Sequence, residues 1–152
     1  MSISKTNETA EAEVSKPGRV LALDLGQRRV GVAVTDELRI TVRRLPPLRR
    51  SSWKQLVHNV AALVRDFDAQ LLVIGLPLSL DGTESTAAKE VRRQAHNLEL
   101  SLNLPVFLQD ERLTSKEAEG VLRADGYNRD EVKNRVDSEA AALILRDYLG
   151  QA

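Results

Sequence analysis

Asp24 closes an apolar run, Val20-Leu-Ala-Leu23, and is followed by Leu25-Gly26 and a second alternating stretch, Val30-Gly-Val-Ala-Val34. Residues 19 to 25 read as a strand buried on both faces, where an unpaired charge costs several kcal/mol or shifts its pKa until it is neutral. Something cationic belongs beside it: an arginine, a divalent metal, or the magnesium and phosphate of a nucleotide. Two further acidic positions have a similar setting. Asp110-Glu111 follows the apolar run Pro105-Val-Phe-Leu-Gln109, and Asp137 precedes an alanine-rich segment. Asp137 is a good helix N-cap in its own right. Yet Ala140, Ala141, Ile144 and Tyr148 lie three, four, seven and eleven residues beyond it, the spacing of one helical face. Carboxylates that converge without cysteine or a histidine cluster favour a hard cation with oxygen ligands, magnesium or manganese. Cysteine is absent, and the two histidines, His58 and His96, fall inside amphipathic helical patterns that suit surface or packing roles. Such carboxylate sites serve phosphoryl chemistry in a recurring way, with two ions about 3.5–4 Å apart activating water and stabilising the leaving oxygen of a phosphodiester. Arg29 and Arg112 stand close in sequence to the acids and can grip phosphate oxygens through forked hydrogen bonds. For Arg112 an ion pair with Asp110 or Glu111 that holds the turn is the plainer role.

The elements that must position these groups follow from pattern and punctuation. Residues 1 to 18 are polar and aperiodic, a flexible tail ending at Pro17-Gly18. Strands are expected at about 19–25 and 29–35, with a third from Arg39 to Leu45 stopped by Pro46-Pro47. Ser51 or Ser52 caps a helix in which Trp53, Leu56, Val57, Val60, Leu63, Val64 and Phe67 keep a 3.6-residue period. A fully apolar strand, Gln70 to Gly75, leads through the loop Leu76 to Ser85 into a helix over about 86–102, and 105–109 forms the last strand. Thr114, with Glu117 three residues on, opens a helix that Gly126 ends, and a final helix runs from near Asp137 to Gly150.

This order predicts a single α/β domain over 19–150, a mixed five-stranded sheet with three antiparallel strands then parallel ones, flanked by helices. In such open sheets ligands collect outside the carboxyl ends of the strands, so Asp24 and Asp110-Glu111 point to one rim. Asp137, on the packed helix face, can reach it, while Glu139 falls on the outward side with Arg146. The hydroxyls Thr83 and Ser85 lead into a helix start that could hold an anion, although an ordinary capped connection has the same composition.

Composition removes other chemistries. The absence of cysteine excludes disulfides, thiolate zinc sites, iron–sulfur clusters and cysteine nucleophiles. No apolar stretch approaches the roughly 20 residues of a membrane span, and the N-terminus lacks a signal-peptide core, so a cytoplasmic protein without a membrane partner is expected. Formal net charge is zero over 152 residues, but Arg28 to Lys54 holds eight basic residues against Asp36 and Glu37. That cluster is either a strand edge defended by charge or an electrostatic footprint for phosphates. Two Phe, two Tyr and one Trp are too few for recognition by base stacking, which leaves shape and phosphate contacts.

Four blocks, Leu23-Asp24-Leu25-Gly26-x-Arg28-Arg29-x-Gly31-Val32-Ala33, Gly75-Leu76-Pro77-Leu78 with Asp81-Gly82-Thr83-Glu84-Ser85, Asp110-Glu111-Arg112-Leu113-Thr114-Ser115, and Val136-Asp137-Ser138-x-Ala140-Ala141, together resemble the YqgF/RuvX family over about residues 19 to 149. The resemblance implies a ribonuclease-H-like fold related to the Holliday-junction resolvases. It also implies a nuclease, a hydrolase of ester bonds, that matures the 5′ end of pre-16S rRNA in ribosome biogenesis. Carried over by position, Asp24, Glu111 and Asp137 look like ligands of Mg2+ or Mn2+ and Asp110 a close accessory. Arg29 and Arg112, with Arg28, Thr83 and Ser85, look like the nucleic-acid side. Related resolvases carry an acid at the end of the fourth strand, where this chain has Gly75, so the Asp110-Glu111 pair would have to substitute. The implied partner is nucleic acid, either pre-rRNA within ribosomal precursor particles or branched DNA.

Rival readings remain. A Holliday junction resolvase in recombination would need a homodimer with two active sites facing opposite strands, whereas a processing nuclease can act as a monomer. A non-catalytic RNA-binding assembly factor could keep the fold. A similar Asp-x-Gly turn opens sugar-kinase and actin-like ATPases, but those pair two copies of the fold and 152 residues supply one.

Overall fold

The structure, a computed structural model, describes residues 17–79, 81–111 and 129–150, with side chains in the last of these segments from Ser138 onward. The expected tail up to residue 16 and the expected helix over 114–126 lie outside the described residues. Five strands form one sheet: β1 (Arg19–Leu25), β2 (Arg29–Thr35), β3 (Val42–Arg49), β4 (Ala69–Leu76) and β5 (Val106–Asp110), in the order β3-β2-β1-β4-β5. The β1–β2 and β2–β3 pairs are antiparallel, and β1–β4 and β4–β5 are parallel. Three helices are described: α1 (Trp53–Phe67), α2 (Thr86–Leu102) and α3 (Arg129–Tyr148). The mixed sheet and the bounds of β1, β2, α1 and α2 agree with the sequence reading. Ser52 is the α1 cap, its hydroxyl accepting from the Gln55 amide at 3.1 Å.

Pleating divides the core in two. On one face Leu21, Leu23, Val30, Val32, Val34, Leu72 and Ile74 pack with Leu56 and Val60 of α1 and Val91 and Leu98 of α2. On the other, Val20, Ala22, Ala33, Leu71 and Val73 meet Ala141, Ala142, Ile144, Leu145 and Tyr148 of α3. Small residues at the centre of that second face, Ala22, Gly31, Ala33 and Gly75, let α3 settle close to the backbone. The helix crosses the whole sheet: the Ser138 hydroxyl donates to the Leu45 carbonyl of β3 at 2.6 Å, and Tyr148 stacks obliquely on Phe107 of β5 with ring centroids 5.0 Å apart.

Three expectations are corrected. β3 begins at Val42 and runs through both prolines to Arg49. It lies at the edge of the sheet, where a missing N–H is tolerated, and Pro46-Pro47 falls in a bulge: Val32 pairs with Leu45 and Val30 with Leu48, so two prolines stand opposite the single residue Gly31. Residues 39–41 instead complete the turn that begins at Asp36, with Arg39 at φ 58° and the Asp36 carboxylate accepting from the Ile40 and Thr41 amides at 2.7 and 2.9 Å. Next, α3 starts at Arg129, so Asp137 sits inside the helix and is not its N-cap. Arg-Asp-Glu-Val-Lys-Asn-Arg-Val136 contains no proline or glycine and simply continues the helix backward. Finally, Glu139 is fully buried and does not face outward. It does meet Arg146, at 3.4 Å, but also Arg44 of β3 at 2.5 Å, because the edge strand reaches under the helix flank that an isolated amphipathic pattern assigns to solvent.

Candidate active site at the carboxyl rim of the sheet

Asp24 is the penultimate residue of β1, half-buried, with Gly31 as its cross-strand partner. Alternation along the strand puts it on the face of Val20 and Ala22, beneath α3. The parallel register pairs Leu23 with Ile74, which brings Gly75 beside Asp24, and Gly75 in turn pairs with Gln109. Glu111 follows β5 directly, its amide donating to the Leu76 carbonyl at 3.0 Å. The residue is 7% exposed and its side chain lies over β4. A Cβ built on Gly75 would stand 3.6 Å from Glu111 Cγ and only 2.5 and 3.0 Å from Cδ1 and Cγ1 of Ile144. Glycine is therefore required by close approach. The space above β4 is shared by an α3 side chain and by a carboxylate delivered from the neighbouring strand, which answers how the rim has an acid there although β4 ends without one.

Asp24 and Glu111 thus flank Gly75 on one face of the rim. Asp110 is not brought into that pair: it is exposed, and alternation with Val106 and Leu108 turns it toward the α1–α2 face. Asp137 lies within α3, the helix over the site, but its side chain is outside the described residues, as is Arg112. Among the described residues no group of three His, Cys, Asp or Glu is close enough to hold a metal ion. The two described carboxylates offer the all-oxygen donor set that a hard divalent cation prefers.

On the other side of Asp24 the rim turns basic. The β1–β2 turn is tight: the Gly26 amide donates to the Asp24 carbonyl at 3.0 Å, and a Cβ on Gly26 would approach the Arg29 carbonyl to 2.5 Å. Arg28 is exposed in this turn and Arg29, half-buried, opens β2. Arg50 ties the turn down, its guanidinium donating to the Gly26 carbonyl at 2.8 Å. In the β4–α2 loop the Thr83 hydroxyl donates to the Asp81 carboxylate at 2.7 Å, and the Ser85 hydroxyl accepts from the Ala88 amide at 3.3 Å as the α2 cap. Both are exposed, and both do the work of an ordinary strand-to-helix connection. His58 and His96 are exposed on their helices, away from the core. The sequence named the Asp110-Glu111 pair as the substitute for an acid at Gly75 without choosing between the two; Glu111 is the one that lies over Gly75, and a glycine in an otherwise apolar strand is the signal for such close approach.

A family model described as RuvX, Holliday junction resolvase, matches residues 18–151. The chain belongs to the RuvX family. One RuvX relative, from Syntrophus aciditrophicus and named "Putative pre-16S rRNA nuclease", is 46% identical over 131 residues, covering 86% of this chain and 87% of that protein. A relative of the same name from Synechococcus elongatus is 43% identical, with 86% and 88% covered. RuvX is a family of nucleases, and this member is accordingly a hydrolase. Among solved structures, T. thermophilus RuvC in complex with a Holliday junction substrate superposes with a TM-score of 0.52 at 14% identity, covering 88% of this chain and 98% of that one. The fowlpox virus Holliday junction resolvase gives 0.50 at 13%, covering 88% and 99%. These likenesses establish the RuvC-like, ribonuclease-H-type fold of the RuvX domain. Among its described residues no helix is long and apolar enough to cross a membrane.

Proposed function

We propose that this RuvX member is a cytoplasmic, divalent-metal-dependent endonuclease that processes the 5′ end of pre-16S rRNA, free or within precursor particles. The observation that carries the reading is Glu111 folded over Gly75 beside Asp24, two acids from different strands gathered on one face of the rim. With Asp137 from α3 they would hold Mg2+ or Mn2+. Bound there, such ions supply Lewis acidity and lower the pKa of water. The chain's own contribution is orientation. Glu111 is held by burial and by its backbone bond to Leu76, so its carboxylate meets an incoming charge without first losing conformational freedom. Arg29, with Arg28 and Arg112 nearby in sequence, would bind phosphate oxygens of the scissile strand, and exposed Asp110 would serve the rim as an accessory acid. Thr83 and Ser85 line the loop beyond β4 and would meet the strand only at its backbone.

The test offers purified protein, with magnesium or manganese, a pre-16S 5′ leader RNA and a four-way DNA junction. The leader is expected to be cut and Asp24→Asn to abolish cutting. Cleavage of the junction alone would replace this reading with that of a resolvase, which the name of the matching family model favours. Equal RNA binding by wild type and Asp24→Asn, with no cleavage of either substrate, would leave a non-catalytic assembly factor.

A further inference from the structure

The proline bulge in β3 changes which face its last residues occupy. Before it, Arg43 and Leu45 turn toward the α1–α2 side, Arg43 lying 5.2 Å from the ring centre of Phe67, while Arg44 turns toward α3 and Glu139. An unbulged strand would put Arg49 on the side of Leu45. The extra residue reverses the parity: Leu48, opposite Val30, now faces α1–α2, and Arg49, opposite Arg29, faces α3. This is the face of Asp24 and Glu111. Read along the rim, the order of the sheet places Glu111 over β4, then Asp24 on β1, Arg29 on β2 and Arg49 at the β3 edge.

Directly opposed like charges on neighbouring strands are destabilising. Four other arginines of the cluster have partners: Arg39 donates to the Gly18 carbonyl, Arg43 covers Phe67, Arg44 pairs with Glu139 and Arg50 holds Gly26, while Arg28 is exposed in the β1–β2 turn. Among the described residues Arg29 and Arg49 make no ion pair. Arg29 and Arg49, one half-buried and one exposed, are cross-strand partners on one face, and two guanidinium forks so placed can meet the oxygens of one phosphodiester.

We infer that Arg49, brought to the active face by the Pro46-Pro47 bulge, forms with Arg29 a clamp for a backbone phosphate of the substrate on the β3 side of the cut. The inference rests on the nuclease reading and extends it: the bound strand runs across the sheet from the Glu111 side toward β3. Recognition at the clamp is of phosphate, not of base.

Binding of a labelled 5′ leader RNA is measured by fluorescence anisotropy on the Asp24→Asn background across a range of salt, for Arg49→Ala, Arg49→Lys and Arg43→Ala. Thermal melts accompany each variant. Arg49→Ala should weaken binding roughly five- to tenfold and reduce the log–log salt slope by about 0.7–0.9, one phosphate contact. Arg49→Lys should restore the slope but only part of the affinity, and Arg43→Ala, equal in charge but on the opposite face, should leave both unchanged. Equal losses for Arg43→Ala and Arg49→Ala, or no loss for either while wild type still cuts the leader, would overturn the clamp and spare the nuclease reading. A wild-type protein that neither binds nor cuts nucleic acid would remove both.

Discussion

Adding one methyl group at Gly75 tests the packing that seats Glu111. Nothing in the backbone forbids alanine there, since among the described residues the glycines at positive φ are Gly18, Gly82 and Gly150. The cost is steric. The new Cβ would stand 2.5 Å from Cδ1 and 3.0 Å from Cγ1 of Ile144, which is 1% exposed and has nowhere to retreat. Overpacking of this kind costs about 1–3 kcal/mol, and in a domain of this size each kcal/mol lowers Tm by roughly 2–4 °C. Ile144→Val deletes Cδ1 and by itself should cost about 0.5–1.5 kcal/mol. In the double variant the 2.5 Å contact no longer exists and only the 3.0 Å contact must relax. The two substitutions should therefore be less destabilising together than their sum by about 1 kcal/mol, read from urea unfolding of the four proteins in a double-mutant cycle. Additivity within about 0.3–0.5 kcal/mol would mean that Ile144 does not occupy the space above Gly75, and the account of how Glu111 comes to lie there would fail with it.

Arg44→Ala leaves the fully buried Glu139 with only the 3.4 Å contact to Arg146 and should cost about 3 kcal/mol, while Glu139→Gln in the same background should recover part of it; a cost within experimental error would refute the buried pair. Ser52→Ala removes the α1 cap and should cost about 1 kcal/mol in denaturant unfolding, with Ser51→Ala near neutral. On α2 the Arg93 side chain, and after it Gln94, hydrogen-bonds Glu90 and pulls its pKa from 4.5 to about 2. A depressed carboxylate favours the folded state above its unfolded pKa and loses that effect as pH falls from about 4.5 through about 2, so an NMR titration should place the Glu90 midpoint near 2 and Arg93→Ala should return it toward 4.5.

Much of the fold was legible because local signals and tertiary demands coincide in it. Alternation and apolar runs mark β1, β2 and β4, and Ser52 and Ser85 punctuate α1 and α2 where their hydroxyls cap. β3 was misread because Pro46-Pro47 is a stop signal everywhere except in an edge bulge, and edge position is a property of the finished sheet. The start of α3 was hidden by a charged first half and by Asp137, whose capping chemistry imitates a beginning. Burial of Glu139 could not be read locally, since it depends on Arg44 arriving from a distant strand. For the site, Asp24 and Glu111 were legible as acids at strand ends. What remained hidden was register: which of Asp110 and Glu111 leans over β4, and on which face Arg49 emerges.

The same two prolines have an effect on company as well as on geometry. The outermost strand of an open sheet is ordinarily a template, its row of amides ready to recruit a further chain. Pro46 and Pro47 interrupt that row, the bulge bends what remains, and Arg43 and Arg49 charge it from either side. Pairing of these borders between two copies into one continuous sheet is therefore disfavoured. The folded sheet thus offers a poor template for fibre growth at this margin.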